Sequence, residues 1–489
     1  MKKRIFCMLI SILILVPFII SCSDSQKGKT ADTSETESTA LDEEKLDSLD
    51  YRKTVSDNLP EENFNGSVFR VVTEDGKLKD LYIEEATGDL LEDVIYNRNA
   101  LIEERYNIKF DMFIKGDYIQ TKQTIEKTVA SDDSAFELIS HHVVSSGGLV
   151  LKKLMYNWQD IEYIDFSRPW WSSSTIDDLT YNDITFLAVG DFAISAMTAT
   201  YCMYYNKVLA ENYNLGDLYD VVNSGAWTID KLISTVRDIY VDVNNNNAKD
   251  QNDFYGYAMT NGSAVNTFLW AFNNPIFTKN TDGSMEYVYK TEKMNNIVNR
   301  VYELLTSFPG SYCEVSSNNS SYGFDMYRKD LVIMVPGMFS TALSWRDVET
   351  DFGIIPYPKW NDAQTDYYTM ADGSHSVLSV PINTVDTEYV GIITEALCAE
   401  SWKTVIPAYY DVALKVKGAR DEESIAMLDM IFAKRVFDFG YVYDNFVGVS
   451  FILQRMMSEN NVNFESYYKK NEKPAVKHYG KIINVFENY

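Results

Sequence analysis

Along the chain the hydrophobic pattern changes period several times, and each change marks an element. Phe6 to Ile20 is nearly continuous apolar sequence behind the basic Lys2, Lys3 and Arg4. That is too short for a comfortable membrane span and right for the core of a signal peptide. From Ser23 to about Glu62 the pattern vanishes into Ser, Thr, Asp, Glu and Lys. Such a stretch cannot bury a core and reads as a flexible tether, with a typical span of ~35 Å for a coil of its length. The body then alternates. Val68–Val72 predicts a short strand, and Asp89 with Glu92 three residues on predicts a capping box. Leu90, Leu91, Val94, Ile95, Leu101 and Ile102 follow on one helical face. Ile108–Phe113 alternates as a strand, 118–129 is helical, and Phe136–Ile139 is a third strand ending at His141 and His142. Strands alternating with helices predict a parallel α/β sheet, with ligands outside the carboxyl ends of its strands.

Further on, 184–205 is apolar and β-like, while 228–240 and 295–305 carry helical spacing. Leu331–Val335 is another strand, and from 388 to 457 the pattern is mainly helical, broken at Pro407, Gly418 and Gly440. No internal repeat occurs. Two α/β lobes with several chain crossings fit this order better than one continuous domain.

Composition narrows the function classes. At 46% hydrophobic and 24% charged, most of the 489 residues can fold around a core. The net charge is −27, or −30 without the first 21 residues, which hold three bases and no acid. That sign repels nucleic acid and anionic lipid headgroups. No stretch after the signal approaches the ~18 apolar residues of a membrane span. The leader ends Ile19-Ile20-Ser21-Cys22 and resembles a bacterial lipobox, which implies signal removal at 1–21 and a lipid on Cys22. Cys202, Cys313 and Cys398 remain, too widely spaced for a disulfide framework or a zinc pattern; buried free thiols are the reading, with one chance pair left open.

Several stretches in order resemble one family. They are Arg168-Pro169-Trp170-Trp171, Asp177-Asp178-Leu179 and Phe186 to Asp191; Tyr204-Tyr205-Asn206-Lys207; Gly225 to Leu232 around Trp227; Asp253 to Tyr257; and Phe352 to Trp360. Together they are similar to extracellular solute-binding proteins of sugar-type ABC importers, in their Gram-positive lipoprotein form, over roughly 64–440. The resemblance implies an α/β, two-lobe, periplasmic-binding-protein-like fold with hinge strands and a mainly helical C-terminal region. The expected division is signal 1–21, acidic tether 22–62, an N-terminal lobe of 63–195 plus 373–440, a C-terminal lobe of 196–372, and a helical tail, 441–489, unassigned to either. It also implies a monomer outside the cell membrane, held by Cys22 alone, handing a carbohydrate to the permease subunits of an ABC transporter.

Candidate ligand contacts follow. Gly337-Met338-Phe339 resembles the place where sugar-binding relatives put a stacking ring, here Phe339, with Trp345 beyond it. His141 and His142 end a strand that faces the expected cleft. Asp191 lies at the expected hinge as a hydroxyl acceptor, and Asp372 near the return crossing; Trp270 is a further candidate ring. For each the competing reading is core packing or a turn. Trp170, Trp171 and Trp227 read as structural anchors. The run Asp242–Asp253 has the ligand spacing of a 12-residue calcium loop at Asp242, Asn244, Asn246, Asp250 and Asp253, with Ala248 supplying a carbonyl. Asn247 replaces the usual Gly, and Asp253 the longer Glu. A structural Ca2+ is thus the one cofactor expected, and none is required for activity. With four His in the chain and no HExxH, GxSxG, Walker or GxGxxG motif, catalysis has few centres. The expected function is oligosaccharide capture by lobe closure, without turnover. A surface glycan-active enzyme and a polysaccharide-adhesion protein are the alternatives, and a non-sugar solute such as a peptide stays open within the binding class.

Overall fold

A computed structural model describes residues 49–489, except 261, 314–321, 346–347, 417–418 and 420. The signal peptide, Cys22 and the tether as far as 48 lie outside the described residues. Residues 48–489 form one compact unit.

Two sheets organise it. The first has the order β13-β3-β1-β2. Its strands are β1 (Ser67–Thr73), β2 (Ile108–Ile114), β3 (Leu138–His142) and β13 (Ser376–Ser379). β1 runs parallel to β2 and β3, with Val71 opposite Met112 and Leu138; β13 is antiparallel to β3, with Ser376 opposite His142. The second sheet runs β11-β4-β10-β6-β5, with β9 (Ser311–Tyr312) beside β6. It comprises β4 (Tyr201–Asn206), β5 (Tyr240–Val241), β6 (Phe254–Ala258), β10 (Val332–Met338) and β11 (Phe352–Ile355). Between the sheets the chain crosses near 190–200 and 369–375, and β12 (Thr369–Met370) pairs with β14 (Arg435–Val436) where it crosses once more. β7 (Phe277–Lys279) and β8 (Met285–Tyr287) form a separate hairpin.

The helices that position the site are α1 (Leu49–Thr54), α2 (Leu90–Tyr106), α3 (Tyr118–Ala130), α4 (Val143–Leu151), α5 (Ser173–Leu179), α6 (Ser263–Ala271), α7 (Thr387–Glu400), α8 (Ile452–Ser458) and α9 (Phe464–Glu487). α2 starts as its sequence predicts at Asp89, whose carboxylate accepts from the amides of Leu91 and Glu92. The capping box is not reciprocal, because Glu92 turns instead to Lys79 and the Thr87 hydroxyl. A full box does form at α3, between Asp117 and Gln120.

Three local readings differ from the structure. Residues 49–62 do not continue the tether. Tyr51, Val55 and Leu59 give them an apolar face that packs on the first-sheet core, Arg52 donates to the Trp402 carbonyl at 3.0 Å, and Asp57 pairs with Arg105. The apolar run 184–200 is not a continuous strand but single bridges, Gly190 to Trp171 and Ala188 to Leu378, and a turn of helix at Ser195–Thr198. The tail, 441–489, holds α8 and then the long helix α9, which makes up its second half. The first half of α9 meets Tyr287 and Tyr289 near the hairpin, and its end packs Phe486 against Tyr181 and Phe186. Cys202, Cys313 and Cys398 are free thiols. No helix among the described residues is long and apolar enough to cross a membrane.

Candidate functional site: a cleft at the chain crossings

The carboxyl ends of β1 and β3 leave Glu74, His141 and His142 at the edge of the first sheet, as parallel strands do. Opposite them lie Tyr201 at the start of β4, Gly337 and Met338 at the end of β10, the amino end of α6, and Gln454 on α8. Tyr201, Met259, Ser263, Pro336, Met338 and Gln454 are among the residues lining a cavity of about 420 Å3 there. Asp372, on the return crossing, accepts from the Tyr201 hydroxyl at 2.9 Å and the Ser374 amide at 2.9 Å. Burial raises its carboxyl, but hydrogen bonds from Ser374, Tyr201 and Ser263 outweigh that and hold it below the usual carboxylate range.

Aromatic rings form a chain of contacts at the edge of the first sheet. His142 stacks on Tyr118 with centroids 4.6 Å apart and 30° between planes. Phe446 lies 5.8 Å from His142 and stacks on Phe451 at 16°. Phe451 meets Tyr441, which meets Trp270 at 4.8 Å. The ribbon runs from a half-buried Tyr118 to a buried Trp270, and Phe446 in its middle is 43% exposed. Its backbone is held in the left-handed region, at φ +62°, next to Asn445 at +45°. A bulky residue there is an outlier that needs a reason. Lys122 on α3 contributes by donating to the Asn445 side chain at 2.8 Å.

The three histidines near the crossings are held uncharged at neutral pH: burial lowers His142 and His375 to about 4 and His141 well below its ordinary value. His375 Nδ1 lies 2.7 Å from the Asp372 carbonyl, while its Nε2 is buried without a partner. Neither ring nitrogen of His141 is hydrogen-bonded; its Nδ1 lies 3.5 Å from Glu74 Oε1. That oxygen accepts from the His142 amide at 2.8 Å, and burial pushes the Glu74 carboxyl up to about 7. The site therefore offers hydroxyl, imidazole and carboxyl groups and little net positive charge.

The structure sets His142 and Asp372 near one another at the crossings and places Trp270 at the buried end of the ribbon, while His141 is wholly buried in the first sheet and none of the four lines the 420 Å3 cavity. It does not bring the other candidates there. Phe339 is wholly buried beside the second sheet, and Trp345 is 1% exposed and stacked on Tyr327 at 4.4 Å. Both belong to one core cluster. Asp191 lines a different cavity, beside Arg435. Trp170 and Trp171 anchor the first lobe by donating to Glu395 at 2.7 and 2.8 Å, and Trp227 donates to the Pro356 carbonyl at 2.9 Å. The sequence reading did not single out Tyr118, Tyr201, Phe446 or Phe451. Phe446 and Phe451 lie where the family-like pattern stops, and no periodicity marks a strained loop.

The Asp242–Asp253 loop joins β5 to β6. Asp242 accepts from the amides of Asn246 and Asn247, and Asn247 has φ +57°, as the position of the missing Gly requires. Asp253 is fully buried and accepts from Tyr240 and the Val243 amide. Asp250 accepts from the Asn244 and Asn246 amides, which turns those side chains away from a ligand role. Among the described residues no three His, Cys, Asp or Glu side chains form a metal-holding group.

No protein-family model and no curated protein matches the chain. Solved structures do. An ABC substrate-binding protein, Lmo0181 of Listeria monocytogenes, in complex with cycloalternan, aligns over 85% of this chain and 99% of its own, with a TM-score of 0.54 and 12% identity. UspC of M. tuberculosis aligns over 84% and 100%, with a TM-score of 0.56 and 10% identity. A solute-binding protein of Thermotoga lettingae bound with alpha-D-tagatose aligns over 84% and 100%, with a TM-score of 0.52 and 14% identity. The chain thus has the α/β two-lobe fold of the substrate-binding proteins of ABC transporters, with its polar and aromatic cleft at the crossings between the two sheets.

Proposed function

We propose that this protein captures a neutral carbohydrate, an oligosaccharide, in the cleft and delivers it to an ABC importer. The observation that carries the proposal is the ribbon Tyr118, His142, Phe446 and Phe451 beside the Asp372–Tyr201 pair. Sugars present CH faces to aromatic rings and hydroxyls to paired polar groups. A ribbon longer than one ring suits several sugar units, and uncharged histidines suit a ligand without charge. Closure of the lobes would follow from better contact with ligand in the closed state. The ligands of two fold neighbours, cycloalternan and tagatose, support the class.

The same proposal places the protein outside the cell as a monomer, with lipid on Cys22 as its membrane attachment and permease subunits as its partners. The 242–253 loop would take Ca2+ as a structural ion once the Asn244 and Asn246 amides turn their oxygens inward, with the weak affinity of extracellular modules, about 10⁻⁴–10⁻³ M.

A second reading rests on one observation. The cleft holds a carboxyl raised to about 7, Glu74, and one lowered, Asp372, the division of labour of a glycoside hydrolase. Thermal melting of residues 49–489 against mono- and oligosaccharides, with and without calcium, tests all of this. A ligand of the folded state at 100 times Kd adds about 2.7 kcal/mol. The expected result is a raised midpoint with one oligosaccharide class and the sugar recovered intact. Cleaved sugar favours the hydrolase; no shift with any sugar sinks both.

A further inference from the structure

Most of the described residues around the 420 Å3 cavity meet it with carbon and sulfur. Ala258, Met259, Val335 and Met338 stand at or just past the carboxyl ends of β6 and β10, which run parallel with Met334 opposite Tyr257. Ala264 comes from α6, and Phe324 from the short helix Tyr322–Arg328. The backbone of this wall is already engaged. Met259 donates its amide to the Tyr312 carbonyl at 3.0 Å, and its own carbonyl accepts from the Tyr322 hydroxyl. Met338 donates its amide to the Thr341 hydroxyl at 3.2 Å, and its carbonyl accepts from Tyr204 at 2.7 Å. Pro336 has no amide hydrogen, and Val335 and Gly337 on either side of it pair with β4. Polar side chains enter at Tyr201, Thr260, Ser263 and Gln454, and two of these, Tyr201 and Ser263, also bond to Asp372. No Lys, Arg or His is among the described lining residues. The floor has room. A Cβ added at Gly323 would come no closer than 3.9 Å to Val335 and 4.0 Å to the Ala258 carbonyl and Thr260, all of them cavity residues.

We infer that one sugar unit of the captured ligand carries a methyl-ended substituent in place of a hydroxyl, an acetamido or a deoxy group, and that this cavity buries the methyl. The inference rests on the reading that the cleft captures a neutral oligosaccharide. A sugar with a hydroxyl on every carbon fits such a wall badly. Each hydroxyl turned toward it gives up water and finds no partner among groups already bonded to one another. A methyl gains from the same burial. A charged substituent is disfavoured, because no cationic side chain of the described lining would pair with it. The space equals about fourteen waters at ~30 Å3 each, enough for a substituted sugar ring. The ring hydroxyls face the Tyr201, Ser263 and Gln454 side. Gln454 lies three residues beyond Phe451 at the start of α8, so further sugar units can continue onto the aromatic ribbon.

The test is titration calorimetry on the full chain with two matched pairs, chitotriose against cellotriose and L-rhamnose against L-mannose. The first pair differs by acetamido groups in place of hydroxyls, the second by one missing hydroxyl. In at least one pair the methyl-bearing member should bind about tenfold or more tightly, the lower end of what one methylene is worth in an apolar pocket. The pair that responds tells an acetamido from a deoxy sugar. Gly323→Val fills the floor and should bring the two members within about twofold of each other. Gly323→Ala, whose Cβ makes ordinary contacts, serves if the valine variant does not fold. Phe446→Gly, on the ribbon, should leave the ratio unchanged. The inference is overturned, with the capture reading intact, if the hydroxyl-bearing member binds as well in both pairs. It is likewise overturned if the sugars that bind from the wider panel all lack a methyl-ended group, or if the ratio survives Gly323→Val and collapses in Phe446→Gly. No binding by any sugar overturns both.

Discussion

Phe446 combines three things that seldom coincide in one residue. It is aromatic, it is 43% exposed, and its backbone is left-handed. A left-handed conformation costs a residue with a Cβ about 1–2 kcal/mol, which Gly does not incur. Phe446→Gly therefore separates the fold's interest from the ligand's. Without ligand the midpoint should stay or rise. Oligosaccharide affinity should fall about tenfold, the weight of one stacking ring of roughly 1 kcal/mol or slightly more. Melting and titration of the one variant measure both. A fall in stability of the size of a lost core ring, about 3–5 kcal/mol, with unchanged affinity would make Phe446 structural. The same residue shows where sequence reasoning reached its end. The placement of His142 at a strand end and of Asp372 on the return crossing was legible because such ends and crossings can be placed from pattern and resemblance. Phe446 and Tyr118 were not, since a half-exposed ring in a loop has no period, and only the folded chain stacks it on His142. Phe339 and Trp345 look like binding rings by position along the chain, yet the second sheet uses them to close its own core.

Among the elements, α9 shows most plainly what burial does that pattern alone does not disclose. Phe464, Tyr468, Tyr479, Ile482 and Phe486 recur on one side, which makes the segment helical by inspection. Nothing in that spacing says which body the helix covers. It covers two. Near its start Tyr468 and Tyr287 pair hydroxyl to hydroxyl at 3.2 Å, while Phe486 near its end sits 4.8 Å from Phe186 and 5.7 Å from Tyr181. In between, Tyr479 donates to the Gly440 carbonyl at 2.7 Å and His478 lies 2.6 Å from the Tyr443 carbonyl. The helix thus backs the segment that carries Tyr441 and Phe446 into the cleft. Phe486 is 1% exposed, so Phe486→Ala should cost about 3–5 kcal/mol by lost transfer energy and the cavity left behind. Denaturant unfolding measures it. A loss under about 1 kcal/mol would mean the end of the helix is not docked as described. The three parallel strands of the first sheet, β1 to β3, were legible to within a few residues, because β1 and β3 carry short apolar runs and β2 alternates; the antiparallel β13 was not read. The 184–200 crossing was not legible either. Its apolar residues are buried by neighbours on all sides, so hydrophobicity there reports burial without reporting strand.

For the molecule as a whole, the buried ionisable groups set a pH dependence whose sign can be worked out. Burial raises Glu74, Asp178, Asp191 and Glu395 to about 7, and Asp80 and Asp438 to about 6. Each keeps a proton in the folded chain that the unfolded chain has released above about 4. Their contribution is complete below the unfolded value and is lost as pH rises through 6 to 7. The three cleft histidines act in the opposite sense. His142 and His375 are lowered to about 4 and His141 well below its ordinary value, so they favour folding above about 6.5 and oppose it as pH falls. With Glu400 and Asp444 also raised by burial, the raised carboxyls outnumber the three histidines and leave the folded state holding more protons between about pH 4.5 and 7, so stability falls across that window as pH rises. Asp57, Asp372 and Asp421, lowered by their hydrogen bonds, lose their contribution only below about 4 and do not alter the sign. Self-repulsion of a chain of net charge −27 points the same way, since acid discharges it. The melting midpoint should accordingly be higher at pH 5 than at pH 8. Glu74→Gln should shrink that difference by up to about 3 kcal/mol, its own share for a carboxyl moved from 4.5 to about 7. A midpoint that rises from pH 5 to pH 8 would mean that the histidines outweigh the carboxyls, and that Glu74 is ionised beside His141 rather than protonated. That would also change the cleft. An ionised Glu74 next to a cationic His141 presents a dipole to the ligand in place of two neutral hydrogen-bonding groups, and a neutral sugar would no longer be the chemistry it fits best.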